Sequence, residues 1–295
     1  MKKNIFIIIT LLLFVLPASA QVSGGAIKRP SKSHSTNKVA PKPQKKPSTT
    51  QNKPINKTQR GSIENSRPRS HDNQEQKISQ QEKKKALTGY TNGHAWVDLG
   101  LPSGTLWATM NVGATSPEDY GDYFAWGETK GYNFGKTNFT WSTYKWCNGS
   151  ETTLTKYCTS NNYGYNGFTD NRTYLYPEDD AALVNWGIDW CMPTQKQFEE
   201  LINSSYTTTE WTTVNGVNGR KITSKTNGNS IFLPAAGCRG TSLYEEVLRG
   251  YYWSRTLNSD YPYDAWHLYF DSSRMYICRY YRNYGQGVRP VRVSQ

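Results

Sequence analysis

The sequence predicts an α+β domain of antiparallel strands, long loops and two short helices, preceded by a disordered basic segment. All ten tryptophans and all five cysteines follow Tyr90, so the side chains that build a hydrophobic core lie in the C-terminal part of the chain. Short apolar runs bounded by Gly, Pro and Asn-Gly pairs indicate antiparallel strands with tight turns. Only two stretches have helical periodicity. These patterns divide the chain into 1–20, 21–88 and 89–295.

Residues 1–20 have the pattern of a secretory signal peptide. Lys2 and Lys3 precede the apolar run 5–16, and the small residues Ala-Ser-Ala at 18–20 form a cleavage site. A transmembrane anchor is the alternative, but the run is shorter than the roughly 20 residues that span a bilayer. We therefore expect an exported protein that is periplasmic, at the cell surface or secreted.

The segment 21–88 lacks the residues needed to fold by itself. It contains no Trp, Tyr, Phe or Cys and is rich in Lys, Pro, Ser, Thr, Asn and Gln. Such a composition buries too little apolar surface to offset chain entropy, which predicts a disordered linker. It holds sixteen basic and four acidic residues, so the net charge of +12 belongs to the linker and does not indicate nucleic-acid binding. The positive charge of the linker has two interpretations: the linker contacts anionic envelope polymers, or it is a spacer that the charges keep solvated.

In the first part of the domain, two short strands are expected at 95–99 and 105–112, on either side of a Pro-Ser-Gly turn. The region 115–174 is rich in Gly, Asn and aromatic residues without periodicity, which predicts long loops. A helix is expected at 177–186, with acidic residues in its first turn. A second helix is expected at 194–202, where Thr194 and Gln197 have the spacing of a capping box.

The rest of the domain reads as strands. Three of them, at 210–214, 220–224 and 230–233, are separated by Asn-Gly pairs that predict hairpin turns. A further antiparallel meander is expected from the four runs 251–256, 265–270, 274–278 and 287–293.

Six short motifs mark the domain. They are Trp-Val-Asp-Leu-Gly-Leu-Pro-Ser-Gly-Thr-Leu-Trp at 96–107, Tyr-Gly-Asp-Tyr-Phe-Ala-Trp-Gly-Glu at 120–128, Cys-Met-Pro-Thr at 191–194, Leu-Pro-Ala-Ala-Gly at 233–237, Gly-Tyr-Tyr-Trp-Ser at 250–254 and Gly-Val-Arg-Pro-Val at 287–291. Their type and order resemble the Fibrobacter succinogenes major paralogous domain family of secreted bacterial proteins. The resemblance implies a C-type-lectin-like fold, which also includes formylglycine-generating enzymes. That fold hosts unrelated functions, so it indicates little about activity.

The sequence offers little for an enzyme to use. The domain has two histidines, His94 and His267, and neither has metal-ligand spacing. The formylglycine-generating enzymes of this fold use two nearby cysteines close to the C-terminus to bind copper, but the corresponding stretch 275–282 has Cys278 alone. The calcium-binding Glu-Pro-Asn and Gln-Pro-Asp motifs of animal C-type lectins are also missing. We expect a protein that is not an enzyme and holds no cofactor or metal.

Five cysteines in an exported chain suggest two disulfides and one odd thiol. The expected pairs are Cys147–Cys158, which closes a short loop, and Cys191–Cys238, which flanks core motifs. The alternative is that all five are reduced and partly buried.

Four tryptophans and one arginine within the motifs are expected to be structural. Core packing is favoured over ligand contact for Trp107, Trp126, Trp190 and Trp253. For Arg289 we expect burial and pairing with an acidic residue.

The segment 258–284 is the candidate recognition surface, because it is crowded with Tyr, Asp, Ser, Asn, Arg and His. Its part 277–284 contains only residues reachable by randomising adenines in asparagine codons, so it resembles the variable region of retroelement-diversified proteins. Ordinary edge strands are the alternative. The residues expected to share one ligand-binding surface are Tyr261, Tyr263, Asp264, His267, Tyr269, Asp271, Tyr280, Tyr281 and Tyr284.

The function predicted from these features is that of an exported, non-enzymatic recognition module with a glycan or protein ligand at the cell surface. An oxidoreductase of the formylglycine-generating type and a purely structural envelope protein are the alternatives. The sequence leaves the oligomeric state open.

Overall fold

The computed structural model describes residues 88–293, and these form mainly antiparallel β-sheet with two short α-helices, in line with the α+β prediction. The predicted signal peptide 1–20 and linker 21–88, except Thr88, lie outside the described residues. The strands are β1 (Thr88–Thr91), β2 (His94–Asp98), β3 (Thr105–Ala108), β4 (Thr207–Val214), β5 (Val217–Ser224), β6 (Ser230–Pro234), β7 (Cys238–Arg239), β8 (Leu243–Tyr244), β9 (Gly250–Leu257), β10 (Asp264–Phe270), β11 (Met275–Tyr281) and β12 (Val291–Val293). The helices are α1 (Ala181–Trp186) and α2 (Gln195–Leu201).

The first sheet joins the two ends of the domain, in the order β1-β2-β3-β12. Val97 of β2 and Val291 of β12 both lie opposite Trp107 of β3, and all three side chains are buried. The prediction that the last strand completes a C-terminal meander is therefore wrong. Burial of apolar side chains against Trp107 places β12 beside β3, although the two strands are far apart in the sequence.

The second sheet, β4-β5-β6, is a pair of hairpins. Asn215 and Gly216 form the predicted turn between β4 and β5, and both have the positive φ that a type I′ turn requires. The predicted turn at Asn218-Gly219 is wrong, because these residues lie within β5. A Cβ at Gly219 would come within 2.3 Å of the Leu233 carbonyl oxygen, so this glycine permits close approach of β6.

The third sheet, β9-β10-β11, is the meander that carries most of the segment 258–284. Side chains alternate between its faces, and Trp253, His267 and Cys278 lie across one face at matching register positions. Among the described strands, β11 pairs only with β10, so it forms the edge of this sheet. Strands β7 and β8 form a small two-stranded ribbon, and Cys238 of β7 packs against Tyr251 and Tyr269 of this sheet. The ribbon was not predicted from the sequence.

The two helices begin at capping side chains. At α2 the capping box is confirmed: Thr194 accepts from the Gln197 amide, and the Gln197 side chain accepts from the Thr194 amide at 2.8 Å. The predicted helix 177–186 is split into a single 3-10 turn and α1, because Asp180 is an N-cap and not a first-turn residue. Its carboxylate accepts hydrogen bonds from three backbone amides, one of them that of Met192.

The core is built on the predicted tryptophans: Trp107, Trp126, Trp190 and Trp253 are all at most 1 % exposed. The region 115–174 is irregular apart from short 3-10 turns and isolated bridges, as predicted. Within residues 88–293, no helix is long and apolar enough to cross a membrane.

Neither expected disulfide forms, since all five cysteines are free. The thiols of Cys147 and Cys158 donate to different carbonyls, those of Trp141 at 3.1 Å and Ser160 at 3.0 Å. Cys191 and Cys238 lie in separate hydrophobic clusters, which explains why they do not pair.

Arg289 is fully buried, as expected, but its partners are neutral. Its guanidinium donates to the side-chain oxygen of Asn111 at 2.8 Å and to the carbonyls of Ala108 and Phe232 at 3.1 and 2.9 Å. Burial lowers its pKa to about 10. The expected acidic partner is therefore replaced by three oxygens that the guanidinium geometry matches.

Replacing Arg289 with lysine tests this role. A lysine ammonium does not reproduce the planar fork that reaches three separate oxygens, so Arg289→Lys should lower the free energy of unfolding by about 2–5 kcal/mol. Urea denaturation followed by tryptophan fluorescence measures the change. Arg274→Lys is the control, because the Arg274 side chain is largely exposed and its exposed ion pair contributes less than about 1 kcal/mol. Equal effects of the two substitutions would contradict the proposed role.

Candidate ligand-binding surface

Three adjoining pockets meet at Tyr284, whose side chain lines all of them. Tyr280, Tyr281 and Tyr244 each line two of the three. We call these four tyrosines and the pockets between them the tyrosine surface. The pockets have volumes of about 370, 390 and 300 Å³, and they lie beside the edge strand β11.

The first pocket, the Asp264 pocket, is lined by Tyr263, Asp264, Arg279, Tyr280, Tyr281 and Tyr284. Asp264 begins β10, and its backbone amide donates to the Tyr261 carbonyl at 2.8 Å. Its Oδ2 accepts from Arg279 at 3.3 Å, while the Arg279 guanidinium also lies 4.1 Å from the centre of the Tyr261 ring. Burial raises the pKa of Asp264 to about 6, although the charge of Arg279 opposes this shift.

The second pocket, the Glu245 pocket, is lined by Cys238, Tyr244, Glu245, Arg249, Tyr251, Tyr280 and Tyr284. The Glu245 carboxylate accepts hydrogen bonds from Arg249 and from the Tyr251 hydroxyl. Glu245 and Val247 have φ values of 58° and 60°, a left-handed conformation that a β-branched residue rarely adopts. Such strain persists only where surrounding contacts impose it, and it is common at binding sites.

The third pocket, the Trp141 pocket, lies between the loop at Phe139–Trp141 and the ribbon β7–β8. The Trp141 ring centre is 6.1 Å from that of Tyr281. Asn283 forms part of its wall and donates to the Phe139 carbonyl at 3.0 Å. The long loops of the domain therefore contribute directly to the surface.

Arg282 connects these loops to the sheet. It is fully buried and donates to the Tyr144 hydroxyl at 2.9 Å and to the carbonyls of Lys156, Tyr157 and Pro262 at 2.7–3.0 Å. Its own backbone accepts from the Trp126 amide at 2.9 Å. Because its neighbour Tyr281 lines two pockets, these bonds fix the position of the surface.

Five of the nine predicted ligand-binding residues lie together in the Asp264 pocket or at its rim: Tyr263, Asp264, Tyr280, Tyr281 and Tyr284. Tyr261 is 41 % exposed and packs beneath Arg279, but it lines none of these three pockets. The prediction is wrong for three residues. His267 and Tyr269 are buried beneath the pocket-lining Tyr251 and Tyr280, whose rings they contact. Asp271 stabilises the β10–β11 turn by accepting from the Ser273 and Arg274 amides.

Cys278 has a partner that its sequence position did not reveal. His267 Nε2 lies 3.0 Å from the Cys278 sulfur, and His267 Nδ1 lies 3.0 Å from Gln286 Oε1. Burial raises the pKa of Cys278 to about 11 and lowers that of His267 to about 3. Both groups are therefore neutral at pH 7. Because Gln286 Oε1 can only accept, the imidazole proton lies on Nδ1, and Nε2 accepts from the thiol.

Several residues of the surface were missed by sequence reasoning. Glu245 and Arg249 lie in a short polar stretch without a motif, and Trp141 lies in the region predicted only as loops. The variable-looking stretch 277–284 is also divided: Tyr281 is exposed, whereas Arg282 and Asn283 are buried and hydrogen-bonded. Composition alone does not separate these two groups.

Among residues 88–293, no group of three His, Cys, Asp or Glu side chains is arranged to hold a metal ion. Comparisons of the chain with family models, with curated proteins and with solved structures returned no match.

The buried neutral His267 predicts sensitivity to acid. Its pKa in the folded state lies below the value of 6.5 expected on unfolding, so its contribution to stability is present above pH 6.5 and is lost as the pH falls toward 3. Between pH 6 and pH 4, the free energy of unfolding should fall by about 1.4 kcal/mol per pH unit more in the wild type than in His267→Gln.

Chemical denaturation at several pH values measures these slopes. His94→Gln is the control. The His94 ring is only partly buried against Trp186, so this substitution should change the slope much less. Parallel pH profiles for the wild type and His267→Gln would show that His267 is not the titrating group.

Proposed function

We propose that the domain is a C-type-lectin-like recognition module that binds a glycan or a protein through the tyrosine surface. The observation that carries this proposal is the meeting of three pockets at Tyr284, with tyrosine rings in the walls of each. Tyrosine supplies a large contact area at low entropy cost, and its hydroxyl adds polar contacts. The α+β architecture and the order of the six motifs support the lectin-like assignment.

The surface is held rigid, which favours recognition. Strand β11 supplies Tyr280 and Tyr281, the bonds of Arg282 anchor the following turn, and Tyr280 and Tyr284 pack edge to face at 5.0 Å. A preformed surface avoids the entropy that ordering loops on binding requires.

The proposal includes export by the segment 1–20 and presentation on the linker 21–88, whose basic charge brings it near anionic envelope polymers. It does not include catalysis. The Cys278 thiol is neutral and hydrogen-bonded to His267. This environment does not favour the thiolate that copper-dependent oxidation needs. A purely structural role in the envelope does not require pockets. The presence of three adjoining pockets therefore favours ligand binding over that role.

Tyr281→Ala tests the proposal. Tyr281 is 48 % exposed and lines two pockets, so its removal should weaken ligand binding by about 2 kcal/mol, or roughly thirtyfold, with little change in melting temperature. Binding of the full chain to a glycan array, and to purified envelope proteins immobilised in parallel, provides the measurement.

Tyr276→Ala is the matched control. Tyr276 lies on the same strand and is 38 % exposed, but it lines none of the three pockets. We expect it to bind as the wild type does. Binding to no probe, or equal binding by the wild type and Tyr281→Ala, would overturn the proposed function.

A further inference from the structure

The third sheet has one covered edge and one open edge. The outer side of β9 is bridged by Gly237, Gly287 and Tyr174, which lie in other parts of the chain. The outer side of β11 has no such bridge among residues 88–293. The N–H and C=O groups on that side of β11 are therefore available to another polypeptide strand.

The alternation of hydrogen bonds identifies these outward groups. The Arg282 amide donates to the Tyr263 carbonyl at 3.0 Å, just beyond the last paired residues of β10 and β11. Bonds of this kind recur at every second residue of an antiparallel pair. The residues that direct N–H and C=O away from β10 are then Met275, Ile277, Arg279 and Tyr281. The Tyr281 carbonyl accepts from the Tyr284 amide at 3.1 Å, and in the described part of the chain the other outward groups have no partner.

Strand β11 also lacks the features that normally protect an edge. Natural edge strands are kept apart by short length, by lysine or proline, or by a bulge. Strand β11 has seven residues, all of them at least partly exposed, and contains neither lysine nor proline. The register irregularity of this sheet lies between β9 and β10 and does not involve β11. An edge of this kind favours pairing with a further strand.

From this edge we propose that the chain forms a homodimer through β11. The β11 strands of two copies pair antiparallel about a two-fold axis at Cys278, so that the two third sheets become one sheet of six strands. Residue 277 of each copy then lies opposite residue 279 of the other, 276 lies opposite 280, and 275 lies opposite 281. This inference goes beyond the proposed function and does not depend on the ligand.

The sequence of β11 is self-complementary in this register. All seven residues overlap, and the outward groups at 277 and 279 exchange hydrogen bonds across the axis. The single charged residue, Arg279, lies opposite Ile277 and not opposite its own copy. Tyr276 lies opposite Tyr280, and facing aromatic side chains stabilise neighbouring strands.

Other registers are less favourable. The outward groups of the two strands must face each other, so the axis can move only by whole residues, with loss of overlap. An axis at Arg279 places two guanidinium groups directly opposite each other, which is destabilising. An axis at Ile277 leaves Tyr280 and Tyr281 beyond the end of the partner strand. A second copy is therefore the partner that the sequence of β11 specifies, and such a contact closes after two subunits.

The dimer presents two tyrosine surfaces. Tyr280 and Tyr281 lie at the C-terminal end of β11, so the antiparallel axis places the two surfaces at opposite ends of a seam roughly 20 Å long. Two sites on one rigid sheet bind a repetitive ligand with higher avidity than a single site does.

Opposite charges at Ile277 test the dimer. Ile277 packs partly against the core, and Ile277→Lys and Ile277→Glu both remove that contact. In the dimer the introduced ammonium repels Arg279 of the other copy, whereas the introduced carboxylate pairs with it, and each contact occurs twice. We expect the dimer dissociation constant of Ile277→Lys to exceed that of Ile277→Glu by about tenfold or more. Sedimentation velocity of the full chain at micromolar to submillimolar concentrations measures both.

Thr209→Lys is the matched control. Thr209 is exposed on β4, which is also an edge strand, so this substitution should leave the dissociation constant at the wild-type value. Hydrogen exchange of the wild type provides a measurement that needs no variant. The Ile277 and Arg279 amides should exchange more slowly as the concentration rises, while the Cys278 amide, which already faces β10, should not change.

A wild-type chain that stays monomeric at submillimolar concentration would overturn the inference. Equal dissociation constants for Ile277→Lys and Ile277→Glu would overturn it too, as would a dimer that leaves exchange at Ile277 and Arg279 unchanged. If neither variant folds, the exchange measurement on the wild type decides.

Discussion

The buried guanidinium of Arg282 provides the hydrogen bonds on which the shape of the tyrosine surface depends. It lies where the end of β11 passes under the long loops, and it replaces the hydration of four otherwise separate backbone and hydroxyl oxygens. Irregular loops have few backbone partners of their own, so a multidentate donor is an efficient way to hold several of them. Arg289, seven residues further along the chain, likewise joins separate segments, because it donates to a carbonyl of β3 and to one of β6.

The stability of the domain and the shape of its surface have different sources. Tryptophans and paired strands build the core, while the pocket walls contain several features that oppose folding: left-handed Glu245 and Val247 and a desolvated Asp264. Strained and desolvated groups are common at binding sites.

The sequence was sufficient for the parts of the fold that local chemistry determines. The capping box at Thr194, the Asn215-Gly216 turn and the burial of four tryptophans all follow from propensity and hydrophobicity. The partner of β12 and the burial of individual residues along β9–β11 did not follow. They depend on contacts between distant residues, and those contacts bury His267 and Tyr269 while leaving Tyr281 at the surface.

The residues of the predicted site line pockets where the polypeptide lies at one end of the sheet and are buried where it crosses the middle. Tyr263, Asp264, Tyr280, Tyr281 and Tyr284 lie at one end of the β10–β11 pair, so they remain near solvent. Glu245, Arg249 and Trp141 enter the surface from other parts of the chain, and no spacing in the sequence connects them to 258–284.

The pairing of β12 with β3 has a consequence for biosynthesis. Strand β3 is translated early, yet its partner is synthesised after every other described strand. Until that last strand leaves the ribosome, Trp107 lacks part of its cover and the first sheet has an open edge. The domain is thus expected to complete folding only after synthesis of its last strand, and export as proposed above would meet a chain that has not yet closed this sheet.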